Sequence, residues 1–408
     1  MIHADGRRLA YGALAAAAAT ARPGEVRLKT PREFRLIGRP QARRDTPSKV
    51  NGRAVFGIDV RPEGLLYAAV RMAPALGGAV AGVDPNAVLT MPGVLRVVDF
   101  SAALGPHAGA GAGVAVVAKT WWQAKTAAQA LPVRWTDGPH AGLSSAGVYA
   151  QFAALLDKQA GHAYHQSGDM DAVEGKVAGV AKTVSAEYRA PYLAHAAMEP
   201  VNCTAQLRDG KVYLWAPTQS PGFAVQAAAA AGGVDVADVV LQVTMLGGGF
   251  GRRLDVDMVA QCVAVARQCG GAPLQMIWTR EDDTTHDVYR PAALARFVAT
   301  LDAAGNVLGY DNKSASGSVS QQFFKRNLGL PEAGPDKTTA EGEFDMQYEF
   351  ANQRIRHVIV DSAVPLGYWR SVGHSHNAFF KESFIDELAH AAGQDGVAFR
   401  RGLLKRHP

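Results

Sequence analysis

At 408 residues, 48% hydrophobic and 19% charged, the chain is long and apolar enough for about two to four domains with cores of their own, and too hydrophobic to be a disordered segment. A net charge of +5 over that length excludes a nucleic-acid footprint; the densest basic run, Arg400, Arg401, Lys405 and Arg406, has no aromatic ladder beside it. Three cysteines (Cys203, Cys262, Cys269) without a C-x-x-C pair argue against a disulfide framework and against a cysteine-held zinc or iron–sulfur centre in these residues, and no run of about 18 apolar residues predicts a membrane span.

Arg7-Arg8 followed by the apolar residues 9–19 admits two readings. One is a twin-arginine leader. The other is an alanine-rich helix with Leu9, Ala13, Ala16 and Ala17 on one face, preceded by a turn at Asp5-Gly6. Residues 30–45, arginine-rich and interrupted by Pro31, Gly38 and Pro40, read as an irregular linker. Runs of β-branched residues bounded by Gly, Pro or Asp then predict strands at 54–60, 65–72, 94–100 and 114–118. Thr120 is placed to cap a helix through residue 130, with Trp121 and Trp122 in the core, and residues 133–135 close a compact α+β unit. Residues 137–181, Gly- and Ala-rich with one helix at 148–159, read as a connection.

A further domain is expected from about residue 182. Residues 201–207 and 211–215 flank Arg208-Asp209-Gly210 as a hairpin; Ser220 and Pro221 start a helix that Gly232-Gly233 ends. Strand 239–245, a glycine-rich loop, helix 254–268 and strand 274–279 follow, then a hairpin of 293–302 and 307–317 around Gly305. Residues 376–390 predict a helix with Phe380, Phe384, Ile385 and Leu388 on one side, and Asp395 starts another through residue 404.

The chemistry concentrates in Gly247-Gly248-Gly249-Phe250-Gly251, between a strand and a helix. Glycines allow close backbone approach and aim successive N–H groups one way, and a helix behind them adds positive potential, so the loop reads as an anion or oxo-group site, or as a tight turn without a ligand. It is not a dinucleotide fingerprint, because the third glycine falls on Arg252 or Leu254, and not a phosphate loop, because Arg252 and Arg253 stand where Gly-Lys is needed.

Five motifs in order carry a resemblance. They are residues 45–59 from Asp45 through Asn51-Gly52 to Asp59; residues 194–205, Ala-His-Ala-Ala-Met-Glu-Pro-Val-Asn-Cys-Thr-Ala; Trp215-Ala216-Pro217-Thr218-Gln219-Ser220; Trp278-Thr279-Arg280-Glu281-Asp282 with Tyr289-Arg290-Pro291; and Tyr368-Trp369-Arg370-Ser371-Val372-Gly373 leading to residues 384–388. Together they resemble the molybdopterin-binding large subunit of the xanthine oxidase family of molybdenum hydroxylases. The branch with the isoquinoline 1-oxidoreductase beta subunit and related aldehyde-oxidising enzymes is the most similar. The resemblance implies an α+β fold: a hammerhead-type domain at 46–136, a connection at 137–181 and the first part of a molybdopterin-binding domain at 182–408. Residues 1–45 would be the remnant of a preceding domain plus linker, which favours the internal helix over a leader.

It also implies roles. Gln219 would donate to the apical oxo group of molybdenum. The backbone of Gly248, Gly249, Phe250 and Gly251 would lie against that oxo group and the pterin dithiolene. Arg370 and Ser371 would sit beside the anionic cofactor. Where purine-oxidising members carry a glutamate and a stacking phenylalanine, Leu254 and Val372 stand here, so the expected substrate is an N-heteroaromatic or an aldehyde. The implied cofactor is molybdenum with molybdopterin cytosine dinucleotide; no side chain is expected to ligate metal directly. Implied partners are a [2Fe–2S] small subunit and a cytochrome c, in a periplasmic, membrane-associated or cytoplasmic setting. His195, His374 and His376 read as structural, and Glu199 as a buried structural acid. The family's base is a glutamate in a Gly-Val-Gly-Glu segment; Gly24-Glu25 and Gly342-Glu343 are the only Gly-Glu pairs and match other stretches. No catalytic residue is therefore expected among these 408. The chain is expected to be a fragment, one piece of a split gene or a decayed copy, inactive alone. The alternative is a non-catalytic scaffold that binds an iron–sulfur partner without cofactor.

Overall fold

The computed structural model describes residues 1–3, 5–105, 111–331 and 334–404; Lys405 and Arg406 of the basic run lie outside the described residues. The chain divides into Met1–Ala54 and Val55–Pro408.

In the first unit, Gly6 takes φ +87° in a turn that lets Ile2 and Arg8 bridge antiparallel, as Asp5-Gly6 predicts. Helix α1 (Tyr11–Thr20) forms on alanine propensity, but none of its residues is buried and Leu9 stays outside it, half exposed. The expected apolar face is therefore a row of methyl groups in solvent. A short helix α2 (Thr46–Val50) has Pro47 in its first turn.

The second unit departs at once from expectation. Where a strand is expected at 54–60, Gly57–Asp59 form a 3-10 turn. The Asp59 carboxylate accepts the Phe56 N–H at 3.0 Å, and the Ile58 N–H goes to Glu199 Oε1 at 2.9 Å. A backbone whose donors are taken by carboxylates has none left for a ladder. Then come β1 (Leu66–Met72), β2 (Val80–Val83), α3 (Asn86–Leu89), β3 (Val94–Asp99) and β4 (Gly113–Ala118). In helix α4 (Trp121–Ala130) the Thr120 hydroxyl caps by accepting the Gln123 N–H, and β5 (Val133–Trp135) pairs with β2. Residues 137–181 hold more than a connection: α5 (Ser145–Lys158), β6 (His162–Ser167) and α6 (Met170–Val173).

The rest is β7 (Lys182–Ala190), β8 (Asn202–Arg208), β9 (Lys211–Ala216), α7 (Pro221–Gly232), β10 (Val239–Val243), α8 (Asp257–Ala266), β11 (Leu274–Ile277), α9 (Arg280–Thr285), β12 (Ala293–Leu301), β13 (Val307–Ser316), α10 (Val319–Leu328), β14 (Gln353–Ile359), α11 (Gly373–Ala391) and α12 (Gly396–Leu403). Asp209 and Gly210, both at positive φ, turn β8 into β9 as the hairpin reading requires. Gly233 closes α7 in the left-handed region. Ser220, expected as its cap, instead donates its hydroxyl to Leu254 O at 2.6 Å.

Two sheets carry the unit, in the orders β10-β9-β8-β11-β1-β4-β3 and β6-β14-β13-β12-β7. The α+β class holds. The first sheet joins strands from 66–118 to strands from 202–277, with β1 lying parallel to β11. Along β1 the side chains alternate between two cores. Ala68, Val70 and Met72 face the layer holding α7 and α8, while Ala69 faces α4. The second sheet packs Phe297 and Tyr310 against Phe380 and Phe384 of α11, so the apolar stripe expected on that helix is fully buried.

Trp122 corrects the core expectation. It is 69% exposed, with Lys125 Nζ 5.9 Å from its ring, because it falls on the outer face of α4; Trp121 is half-buried and donates to Ile277 O. Trp122→Ala should change stability by less than about 0.5 kcal/mol in urea unfolding.

Candidate functional site

The strand β10 ends at the glycine-rich loop, which takes a shape few residues tolerate. Gly248 has φ +110°, Phe250 +55° and Gly251 +109°. A Cβ on Gly251 would overlap the carbonyl oxygen of Tyr368, and one on Gly249 would come to 2.5 Å from Gln219 Oε1. The absence of side chains is what lets Gln219 and the chain at 368 close on the loop from two sides.

Specific bonds fix this approach. Gln219 Oε1 accepts the Gly251 N–H at 3.0 Å, and the Gln219 N–H donates to Arg253 O at 2.8 Å. The Gln219 amide nitrogen, exposed, has no acceptor among the described residues, and neither do the N–H groups of Gly248, Gly249 and Phe250. Buried Glu199 holds the loop's other end. Its carboxylate accepts from Gly247 N and Ile58 N (2.9 Å each), Asn202 Nδ2 (3.0 Å) and Arg253 Nη2 (3.2 Å). It is a structural acid, as expected, and has no free lone pair direction with which to act as a base.

Beneath the loop lies a buried ionic network. Arg252 forks onto Asp257 at 2.9 and 2.8 Å and has Nε 2.8 Å from Asp287 as an ion pair. Burial opposes the Arg252 charge, but Asp257 and Asp287 outweigh it and raise its pKa. Burial likewise pushes Asp257 up, and Arg252 more than reverses that, so the carboxyl sits below its ordinary 3.8. Asp287 also receives His195 through the backbone N–H (2.6 Å) and Nδ1 (2.9 Å), while His195 Nε2 lies 2.9 Å from Tyr368 O. Both ring partners are acceptors, so both contacts are hydrogen bonds only when the ring carries both protons. His195 thus ties the 368 segment to the loop's foundation.

From Tyr368 the chain runs to Arg370, exposed and without a hydrogen bond or ion pair among the described residues, then to Ser371 (φ +73°) and Val372 (φ +47°, ψ −124°). Among the described residues, five non-glycine residues have positive φ; four of them, Ala196, Phe250, Ser371 and Val372, lie in this region, and the fifth is the hairpin residue Asp209. For β-branched Val372 that conformation costs on the order of 1–3 kcal/mol. Such strain persists where surrounding structure imposes it, and it clusters at sites that bind or react.

The structure therefore brings Gln219, Gly249 and Gly251 together, with Phe250 between the two glycines, and sets the Tyr368 carbonyl against Gly251; Arg370, Ser371 and Val372 follow Tyr368 in the chain. Leu254 is bonded to the loop and to the residue after Gln219: its N–H donates to Gly251 O and its carbonyl accepts from Ser220 Oγ, while no hydrogen bond joins it to Val372 among the described residues. Arg252, Arg253 and Asp287 were not expected as site residues. Two arginines directly after a glycine loop, with Asp255 and Asp257 close behind, were a readable sign of a buried network.

His374 is exposed, 3.5 Å from the Asp345 carboxylate, whereas His376 is buried in α11. Burial drives His376 down to about 3 and His357 down to about 4, from 6.5. The unfolded chain binds more protons than the folded one between those values, so stability is full above about pH 6.5 and falls as pH drops. Each histidine should contribute on the order of 1 kcal/mol per pH unit below about 6. Urea unfolding at pH 7.0 and 5.0, with His376→Phe as the flattened comparison, measures it. Among the described residues no three His, Cys, Asp or Glu side chains are placed to hold a metal ion, and no helix is long and apolar enough to cross a membrane.

Residues 156–403 match the family model of the molybdopterin cofactor-binding domain. Isoquinoline 1-oxidoreductase subunit beta of Brevundimonas diminuta is 29% identical over 393 residues, 94% of this chain and 48% of that protein. A membrane-bound aldehyde dehydrogenase (pyrroloquinoline-quinone) of Gluconacetobacter polyoxogenes is 28% identical over 419 residues, 99% of this chain and 53% of that protein. The crystal structure of quinoline 2-oxidoreductase from Pseudomonas putida 86 superposes with a TM-score of 0.67 at 19% identity, covering 90% of this chain and 50% of that one. The chain spans about half the length of the curated relatives it matches.

Proposed function

Because the chain belongs to the molybdopterin cofactor-binding domain family, we propose that the glycine-rich loop, Gln219 and the 370–372 segment form one wall of a molybdenum-cofactor site. The reading is a molybdenum hydroxylase, oxidising an N-heteroaromatic or an aldehyde with water as the oxygen source. The single observation that carries it is the set of donors without acceptors: the amides of Gly248, Gly249 and Phe250, the Gln219 amide nitrogen and the Arg370 guanidinium. An oxo-bearing, anionic group is what such a set accepts. The cofactor supplies the two-electron redox chemistry and an electrophilic metal.

The chain's own part is binding and orientation. Gln219 uses its oxygen on Gly251, which fixes the amide plane and leaves its nitrogen to donate to an oxo group without adding net charge. The loop amides of Gly248, Gly249 and Phe250 would hold the cofactor's oxo and dithiolene side. Arg370, with Ser371 beside it, neutralises the anionic pterin, taken as the cytosine dinucleotide form. Leu254 and Val372 give the substrate side no carboxylate and no aromatic stack, which disfavours purines.

Glu199, the acid at the loop, is consumed by four hydrogen bonds and supplies no base. Turnover in this reading needs a carboxylate free to take a proton, whereas Glu199, Asp257 and Asp287 are each engaged at or beneath the loop, and electrons leave through a [2Fe–2S] partner subunit, with a cytochrome c beyond it. Metal analysis of protein from a cofactor-competent host tests the proposal. About one molybdenum per chain is expected, falling at least tenfold in Arg370→Ala. A molybdenum-free preparation overturns it; robust substrate-dependent dye reduction by the chain alone overturns the part of the reading in which the chain lacks its base.

A further inference from the structure

Beside the strained 371–372 turn lies a cavity of about 10 Å3, room for about one water-sized sphere. It is lined by Arg290, Thr338, Trp369, Val372, Gly373 and His376, among others. Three of these present buried polar atoms that meet no partner: Arg290 Nε, Trp369 Nε1 and His376 Nδ1. Arg290 is 9% exposed and His376 3% exposed.

Arg290 is the telling residue. The other buried arginines of this region each have a carboxylate: Arg252 has Asp257 and Asp287, Arg253 has Glu199. Among the described residues Arg290 has none; there its side chain donates only from Nη2, to Pro191 O at 2.7 Å. A guanidinium does not shed its proton to escape burial, so an unpaired one calls for an anion. The buried carboxylate of Asp336, close in the chain to the lining residue Thr338, is taken by Thr338, Ser318 and Ser320, and no ion pair joins it to Arg290 among the described residues. Gly373 opens the 19-residue helix α11, whose first turn has no side-chain cap, and the helix dipole is positive there.

We propose that this cavity is a halide site that takes one chloride ion on the Arg290 Nε–H and the Trp369 indole N–H, with the first turn of α11 behind it. Size selects the ligand class. A cavity for one water-sized sphere admits a monatomic anion and rejects phosphate, sulfate or carboxylate. Charge selects against water, which would satisfy the donors and leave the guanidinium uncompensated. The ion would brace Trp369 and the start of α11 on either side of Val372, which explains how a β-branched residue is held at positive φ. This site does not depend on the molybdenum reading, although Val372 of the proposed cofactor wall also lines the cavity.

The test uses the full chain. Crystals soaked in sodium bromide should show one anomalous peak in the cavity, within hydrogen-bond distance of Arg290 Nε and Trp369 Nε1. At constant ionic strength, exchanging chloride for gluconate should lower the unfolding temperature by about 2 °C or more. Arg290→Met should remove that difference, and Trp369→Phe should reduce it; should the first fail to fold, the second carries the test. A cavity that holds an ordered water with no anomalous signal, or an unfolding temperature identical in chloride and gluconate, overturns the proposal. Molybdenum content measured on the same samples reads the cofactor site independently, so the failure of one assignment leaves the other standing.

Discussion

Gly251→Ala should unfold the molecule or cost more than about 4 kcal/mol, the largest effect of a methyl group added at any of the described glycines. Two penalties coincide. The backbone sits at φ +109°, where a Cβ is strained, and the new carbon would overlap the Tyr368 carbonyl, which is itself held by His195. Backbone against backbone has no soft rotamer through which to yield. Gly222→Ala, in α7, is the counterpart: its Cβ would meet nothing within 4 Å, so helix propensity alone acts and a gain of about 0.5–1 kcal/mol is expected. Urea unfolding of the pair separates a glycine required by geometry from one that is incidental. If Gly251→Ala retains full stability, the loop is looser than described.

The second large effect is expected from Arg252→Met, at about 3–5 kcal/mol. The substitution fits the space of the aliphatic stem but leaves Asp257 and Asp287 buried without their cation. The loss should depend on pH with a definite sign. The folded Asp257 carboxyl lies below its ordinary 3.8, so its contribution is present above that value and disappears as pH falls through the folded one. Wild-type protein should therefore lose stability on acidification below about pH 4, and Arg252→Met should show a flatter acid limb. Equal acid slopes in the two proteins would mean that Asp257 does not draw its ionisation from Arg252.

Local chemistry was legible wherever one residue sets the geometry. Thr120 and Asp395 accept the N–H groups their positions promise, Asp209-Gly210 turns the hairpin, and Gly233 closes α7. The misses share a different cause. Residues 54–60 have strand composition, but Ile58 gives its N–H to Glu199, a partner 141 residues away that no local window contains. Trp122 is large and apolar, yet the helix phase puts Ala124, Ala127 and Ala128 inward and leaves it out. At the site, the glycine run stood out by residue type, whereas Gln219 was named only through the family resemblance that its Thr-Gln pair carries. Arg252 and Asp257, close together behind the glycine run, left a readable sign, but the share of Asp287 and His195 did not, since they come from distant stretches and meet only once packed.

The neighbourly pairing of β1 with β11, some two hundred positions apart, has a cost during biosynthesis. Until residue 274 has left the ribosome, Leu66, Tyr67 and Ala68 offer an unpaired, largely apolar edge with nothing to zip onto. Long-range parallel pairing of this kind is slow, and an open strand edge invites other chains. Recombinant yield should consequently rise with slower, cooler translation and with chaperones that shield nascent β-edges, more than with any change to the site itself.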